Sequence, residues 1–353
     1  MPNGVWQSHE GLLGQHSPRP NGDVTDQHRF TIVLETDEEA TAGREILVHA
    51  TPIPTPGIIR RFVVPRAMAL SRHGRGVGAT GRAFWSQVHP VFMLPPLAAS
   101  LFGAILARDV APTLAAVHVL AMFAAVYTAH VKDGYVDFHV RGEDDDHPLT
   151  ERGCRVGLAA STAAFAGCCL ALYVLVDVVA VALTVPTWLI AYHHAPQLDT
   201  NPVTATTGYP LGVALSILGG FYVQAGTLTA VTVGFALVFL VLLSGIKVID
   251  DAQDYDYDRA IEKRTVAVAV GPARASDAAY GLMATAMVVV VAFAVARVFP
   301  PTAVLAALAF GAVAVLARRT GPEIATMLLV RGSYVFLAVL VAAVWFEPLA
   351  HVG

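Results

Sequence analysis

Most carboxylates beyond residue 85 fall in two short segments. The first runs from Lys132 to Thr150 and contains Asp133, Asp137 and the run Glu143-Asp-Asp-Asp146. The second runs from Lys247 to Thr265 and contains Asp250, Asp251, Asp254, Asp256 and Asp258. On a helix continuing past Lys247, at about 100° per residue, Asp251, Asp254 and Asp258 fall within roughly 60° of one another. Asp250 and Asp256 point elsewhere. Asp133 and Asp137 are spaced i, i+4 and stand about 40° apart on a helix. Carboxylates crowded on one face repel unless a cation lies among them. An all-oxygen set of this kind suits Mg²⁺, which keeps waters and is shared with substrate phosphates. Lys132, Lys247, Lys263 and Arg264 are placed to contact those phosphates directly. Either acidic segment alone reads most simply as solvated loop, and Asp144 to Asp146 are expected to be that. Two such segments, each starting at the end of an apolar run on the same side, argue for a shared site.

The elements that must position these groups are membrane helices. The chain has 353 residues, of which 55% are hydrophobic and only 14% charged, against about 25% charged in a typical soluble domain. That balance excludes a simple cytosolic enzyme, a disordered protein and a secreted disulfide scaffold. A net charge of −4 gives no reason to expect nucleic acid. Cys154, Cys168 and Cys169 have neither metal nor disulfide spacing and read as small packing residues.

From Val88 onward, apolar runs near the length that crosses a bilayer follow one another: 88–107, 112–131, 155–175, 176–195, 208–224, 228–247, 277–298, 300–318 and 325–346. Only Asp177 separates the third from the fourth. The expected fold is all-α, a polytopic membrane bundle of about nine transmembrane helices. Basic residues collect before the first run and after the second, sixth and eighth, so the N-terminus is expected in the cytosol. The Asp-rich loops after the second and sixth runs then share the cytosolic face. Residues 1–84 are expected to be a mostly disordered extension, and 85–353 the helical domain.

The second cluster, Asp251-x-x-Asp254-x-x-x-Asp258 followed by Lys263-Arg264-Thr265-Val266 and Gly271, resembles the second Asp-rich motif of the UbiA-type intramembrane prenyltransferases. The resemblance covers roughly residues 85–346. Lys132-Asp133 stands where that family has Asn-Asp, and Asp137 matches its second Asp after a one-residue shift. Val140 and Arg141 occupy the neighbourhood of the third. Asp146-His-Pro-Leu149 is similar to the family's Asp-Arg-Pro segment, and Tyr192-His-His-Ala-Pro196 to its Tyr-Ser-x-Pro region. Gln197, Leu198 and Asp199 stand where a Lys or Arg usually follows.

The resemblance implies a multi-pass protein of the cell membrane that moves a prenyl chain from an isoprenyl diphosphate to a lipophilic acceptor. It implies Mg²⁺ held by Asp133, Asp137, Asp251, Asp254 and Asp258. Breaking a C–O bond to diphosphate builds negative charge on the leaving group, which Mg²⁺ and Lys or Arg stabilise. Positive charge builds on the prenyl carbon, and the ring faces of Tyr135, Tyr192 and Tyr255 are candidates to meet it. The rival within this fold is a catalytically altered relative that binds isoprenoid lipids. A cation transporter would carry its acids near the middle of the bilayer instead.

Overall fold

Apolar runs of this length can satisfy their own backbone polar groups in hydrocarbon only as helices. The computed structural model describes residues 69–261 and 263–346, and among these there is no strand, only one antiparallel bridge between Ser71 and Leu149. The helices are α1 (Val77–Trp85), α2 (Pro90–Leu106), α3 (Pro112–Gly134), α4 (Glu151–Leu175), α5 (Val178–His193), α6 (Pro202–Ala225), α7 (Ala230–Gln253), α8 (Tyr255–Ala260), α9 (Val266–Val270), α10 (Pro272–Val295), α11 (Val304–Ala317) and α12 (Pro322–Phe346). A π-helical turn, Tyr135–Arg141, extends α3. By length and composition five helices can cross a membrane: α3 with its π turn, α4, α7, α10 and α12. The α1–α2 pair, bent by 68°, qualifies only as a unit, while α5 and α11 are apolar but shorter.

Capping side chains set the boundaries. Asp177 accepts from the Ala180 N–H at 2.9 Å, and its other oxygen accepts from the Tyr222 hydroxyl at 2.8 Å, which fixes the break between α4 and α5. Helix α6 starts at Pro202, six residues before the apolar run that marks it in the sequence, because Asn201 caps it through the Val203 N–H and proline is pre-set for the first helical position. Thr150 caps α4 through the Gly153 N–H at 3.0 Å.

Residues 69–84, grouped above with the extension, pack on the helical body. The Thr150 hydroxyl donates to Ala69 O at 2.8 Å, the Arg72 N–H donates to Pro148 O at 2.9 Å, and Ala79 and Ala83 are buried. Composition hides this because α1 is short and residues 69–72 attach through main-chain atoms. The remainder of the expected extension, residues 1–68, lies outside the described residues, as do 347–353.

Helices in hydrocarbon gain nothing from hiding apolar surface, so close approach must hold them together. Gly103 on α2 and Gly220 on α6 allow it: a Cβ on either would sit 2.2 Å from Ile217 O or 2.1 Å from Ser100 O. The main core joins α2, α6, α7 and α9 to α12 around Phe102, Phe235, Phe239, Phe310 and Phe336. A smaller one joins α3, α4 and α5 and includes Cys168 and Cys169, which are free and buried as packing residues. Leu101, Leu120, Leu170, Val288, Leu305 and Leu308 face outward.

Candidate functional site

The first acidic segment begins on the last turn of α3 with Lys132 and Asp133, and Tyr135 and Asp137 follow on the π turn. Helical pitch therefore changes between the two aspartates, and the 40° relation of a regular helix does not apply. Wide turns of this kind recur at functional sites because they re-aim side chains. Gly142, at φ +66°, ends the turn. Lys132 Nζ lies 5.1 Å from the centre of the Tyr192 ring and 5.8 Å from that of Tyr135, so one cation joins three of the sequence-marked residues. The Asp137 carboxylate is 3.6 Å from the Arg141 guanidinium.

The second segment departs from one continuous helix. Helix α7 ends at Gln253, Asp254 takes φ −93° and ψ 16°, and α8 restarts at Tyr255. Aspartate is a poor helix former that competes for nearby backbone, and several stand close together here. After the break the Asp258 N–H donates to Asp254 O at 2.8 Å. Asp251 and Asp258 are each 2% exposed, Asp250 and Asp254 are half-buried, and Asp256 is exposed. Burial thus sets Asp251 and Asp258 apart, while Asp254 is half-buried like Asp250, and the single face expected of a continuous helix does not carry across the kink. Lys247 Nζ lies 3.0 Å from Asp250 and 2.5 Å from Asp251, and Lys263 Nζ lies 3.5 Å from Asp258. The Oδ2 atoms of Asp251 and Asp258 are buried and have no hydrogen-bond partner. Burial, then the neighbouring Asp250 and Asp258, push the Asp254 carboxyl up to about 6. Burial also raises Asp258, against the pull of Lys263.

The Arg264 side chain is exposed, and Tyr255 packs half-buried on the main core. The motif's other residues shape the chain. Thr265 caps α9 through the Val268 N–H at 3.3 Å, and Gly271, at φ +87°, turns α9 into α10.

Three loops interlock at this end of the bundle. Arg141 Nη2 lies 3.1 Å from Asp199 between α5 and α6, and Arg141 Nε lies 3.6 Å from Glu143. The Arg264 N–H donates to Asp199 O at 3.1 Å. The Tyr257 hydroxyl donates to Glu143 at 3.0 Å, tying α8 to the first acidic segment. Sequence reasoning missed Arg141, Glu143, Asp199 and Tyr257 as site-builders. The available signal was that Arg141 and Asp199, two departures from the family pattern, carry opposite charge. Nor is the Glu143–Asp146 run plain solvated loop: Glu143 and Asp144 are half-buried, and Asp146 pairs with Arg72 at 3.3 Å and His73 at 2.8 Å.

By sequence the chain matches no protein-family model and no curated protein. Its structure is similar to solved membrane proteins. A digeranylgeranylglyceryl phosphate synthase superposes with a TM-score of 0.60 at 13% identity, covering 76% of this chain and 98% of that one. A UbiA homologue from Archaeoglobus fulgidus, solved with GPP and Mg²⁺, gives 0.56 at 15% identity, covering 75% and 99%. A UbiA homologue from Aeropyrum pernix K1 gives 0.55 at 15%, covering 72% and 98%. The chain has the UbiA-type intramembrane prenyltransferase fold and is a multi-pass membrane protein.

Proposed function

We propose that this protein transfers a prenyl group from an isoprenyl diphosphate to a lipophilic acceptor within the membrane, with Mg²⁺. The observation that carries the reading is the pair of buried carboxylates, Asp251 and Asp258, each with an unpartnered oxygen, beside Lys247 and Lys263. Unpaired buried carboxylate oxygens are costly, and a hard divalent cation is the group that suits an oxygen-only donor set. The residues therefore fit Mg²⁺. Asp251, Asp254 and Asp258 would hold it from one side, and Asp133 and Asp137 from the other. When bound, the ion neutralises charge on the diphosphate and on the leaving group. The fold likeness to homologues solved with GPP or DMAPP and Mg²⁺ supports the same reading.

This chain's own residues supply the rest. Lys263 and the exposed Arg264 bind diphosphate oxygens. Lys247 turns from Asp250 and Asp251 to the substrate, or holds those carboxylates apart while the site is empty. Lys132 lies over the Tyr135 and Tyr192 rings; once it turns to the diphosphate, those ring faces would be open to the developing prenyl cation. Tyr255 contributes by packing behind the site. The apolar bundle houses the prenyl tail and excludes water that would quench the cation. All nine apolar runs would cross the cell membrane, with the acidic loops and the N-terminus in the cytosol.

A second reading, a relative that binds isoprenoid lipids without turning them over, is favoured by one observation. Lys247 and Arg141 place internal cations against the carboxylates of both segments. The discriminating experiment measures binding and turnover together. Purified protein is expected to bind a long-chain isoprenyl diphosphate more tightly in Mg²⁺ than in EDTA, and membranes containing it to release diphosphate when a lipid extract supplies acceptor. Equal binding in Mg²⁺ and EDTA would sink the metal-bridged site. Mg²⁺-dependent binding without diphosphate release would favour the second reading.

A further inference from the structure

A different donor chemistry gathers next to the acidic segment. His139 stands on the π turn, His147 on the loop before α4, and Cys154 in the first turn of α4. One ligand atom from each lies within 4.8 Å of the others. Cys154 Sγ is 3.9 Å from His147 Nδ1. His139 Nε2 and His147 Nδ1 each lie 3.2 Å from the Leu149 carbonyl oxygen, so both imidazoles aim at one point. Cys154 and Leu149 are wholly buried, and His147 is 5% exposed.

The rings are held in place. Phe138 meets His139 edge-on at 4.8 Å and stacks on His147 at 5.9 Å. His147 is seated against Gly134, where a Cβ would lie 2.5 Å from Nε2. That contact turns Nδ1, not Nε2, toward Cys154.

We propose that His139, His147 and Cys154 form a second metal site, for Zn²⁺ or a similar borderline-to-soft transition ion, separate from the carboxylate site. This goes beyond prenyl transfer and does not depend on it. Tetrahedral bonds of about 2.0–2.1 Å to nitrogen and 2.3 Å to sulfur set ligand atoms roughly 3.4–3.6 Å apart. The widest present spacing needs a contraction of about 1.2–1.4 Å, within reach of side-chain rotation. A thiolate with two imidazoles selects against Mg²⁺ and for Zn²⁺ or its neighbours. Binding converts the Cys154 thiol to thiolate and releases that proton to solvent. His147 Nδ1 gives up the Leu149 N–H it now accepts at 3.2 Å, and His139 moves its proton from Nε2 to Nδ1, giving up its bond to the Leu149 carbonyl oxygen. The metal would clip the π turn, which carries Asp137, to the start of α4, and so fix the first acidic segment without touching substrate.

The test is a titration of the full chain, purified in detergent and stripped with chelator, with Co²⁺ alone. The expected result is a thiolate-to-cobalt charge-transfer absorption saturating near one ion per chain. It should be lost in Cys154→Ser and retained in Cys168→Ser, Cys169→Ser and Asp251→Asn. The last variant separates this site from the carboxylates, whose oxygen donors give no such band. His139→Ala is expected to weaken the titration about tenfold or more, and it serves as the second reading should Cys154→Ser not fold. A wild-type titration without the band would overturn the proposal. So would a band that survives in Cys154→Ser, or a His139→Ala affinity equal to wild type.

Discussion

The guanidinium of Arg141 lies 3.1 Å from the carboxylate of Asp199, 58 residues further along the chain. Arg141 stands in the neighbourhood where the UbiA-type pattern has an aspartate, and Asp199 is one of three residues, with Gln197 and Leu198, in the stretch where that pattern has a basic residue. The two exchanged charges meet. Because Arg141 also reaches Asp137 and Glu143, the pair ties the π turn to the α5–α6 loop. Both side chains are largely shielded, at 23% and 9% exposure, so their attraction is poorly screened.

Arg141→Ala is therefore expected to destabilise the folded protein by about 1–3 kcal/mol, since it leaves the shielded Asp199 carboxylate unpaired. Asp199→Ala alone should cost less than Arg141→Ala, because Arg141 keeps Asp137 and Glu143. Thermal unfolding of the two single variants and the double variant in detergent measures the coupling, which should reach about 0.5 kcal/mol or more for contacting residues. Strictly additive losses would show that the contact contributes nothing.

Burial sets Asp251 and Asp258 apart from the exposed Asp256, and the motif spacing joins the half-buried Asp254 to them. Asp251→Asn, Asp254→Asn and Asp258→Asn are each expected to lower prenyl transfer about a hundredfold or more, the scale of losing several kcal/mol of leaving-group stabilisation. Asp256→Asn, at an exposed position, should stay near wild type. Asp250→Asn should fall between, because Asp250 shares Lys247 with Asp251. Turnover of a labelled prenyl diphosphate in membranes with matched protein levels reads this order. Asp256→Asn matching Asp254→Asn in damage would contradict it.

Asp254 also makes stability depend on pH. Its carboxyl titrates at about 6 in the folded protein against an ordinary value of 3.8, so the folded state holds the proton more tightly than the unfolded one. Without metal, stability should then rise as pH falls through about 6 toward that ordinary value, and the gain should be absent well above it. Mg²⁺ should raise the unfolding temperature at about pH 7.5, where Asp254 is charged, and much less near pH 5, where it holds its proton. A Mg²⁺ effect equal at both pH values would count against Asp254 as one of its ligands.

A chain beginning at Met68 keeps the contacts of Ala69 to Arg72 with Pro148 and Thr150, and it should insert and remain active. A chain beginning at Trp85 loses those contacts and the burial of Ala79 and Ala83. It should unfold at lower temperature even where it inserts. Size-exclusion profiles and unfolding curves in detergent compare the two. Equal stability would mean that residues 69–84 are dispensable.

Hydropathy alone made the helical class and the apolar runs legible, because a bilayer-length stretch without charge has one way to satisfy its backbone. Asp177 was readable as punctuation for a local reason: a short polar side chain caps the helix that follows it. Spacing suggested one helix face for Asp251, Asp254 and Asp258, yet the kink at Asp254 could not be read, since it depends on how neighbouring carboxylates crowd once α7 is packed. What only the tertiary structure decided is long-range pairing: Arg141 with Asp199, Tyr257 with Glu143, Lys132 over Tyr192, and His139 with His147 and Cys154. Periodicity encodes which face of one helix is apolar. It carries no record of which loops meet at the end of a bundle, because that depends on how helices distant in sequence approach one another, as α2 and α6 do where Gly103 and Gly220 have no side chains to keep them apart.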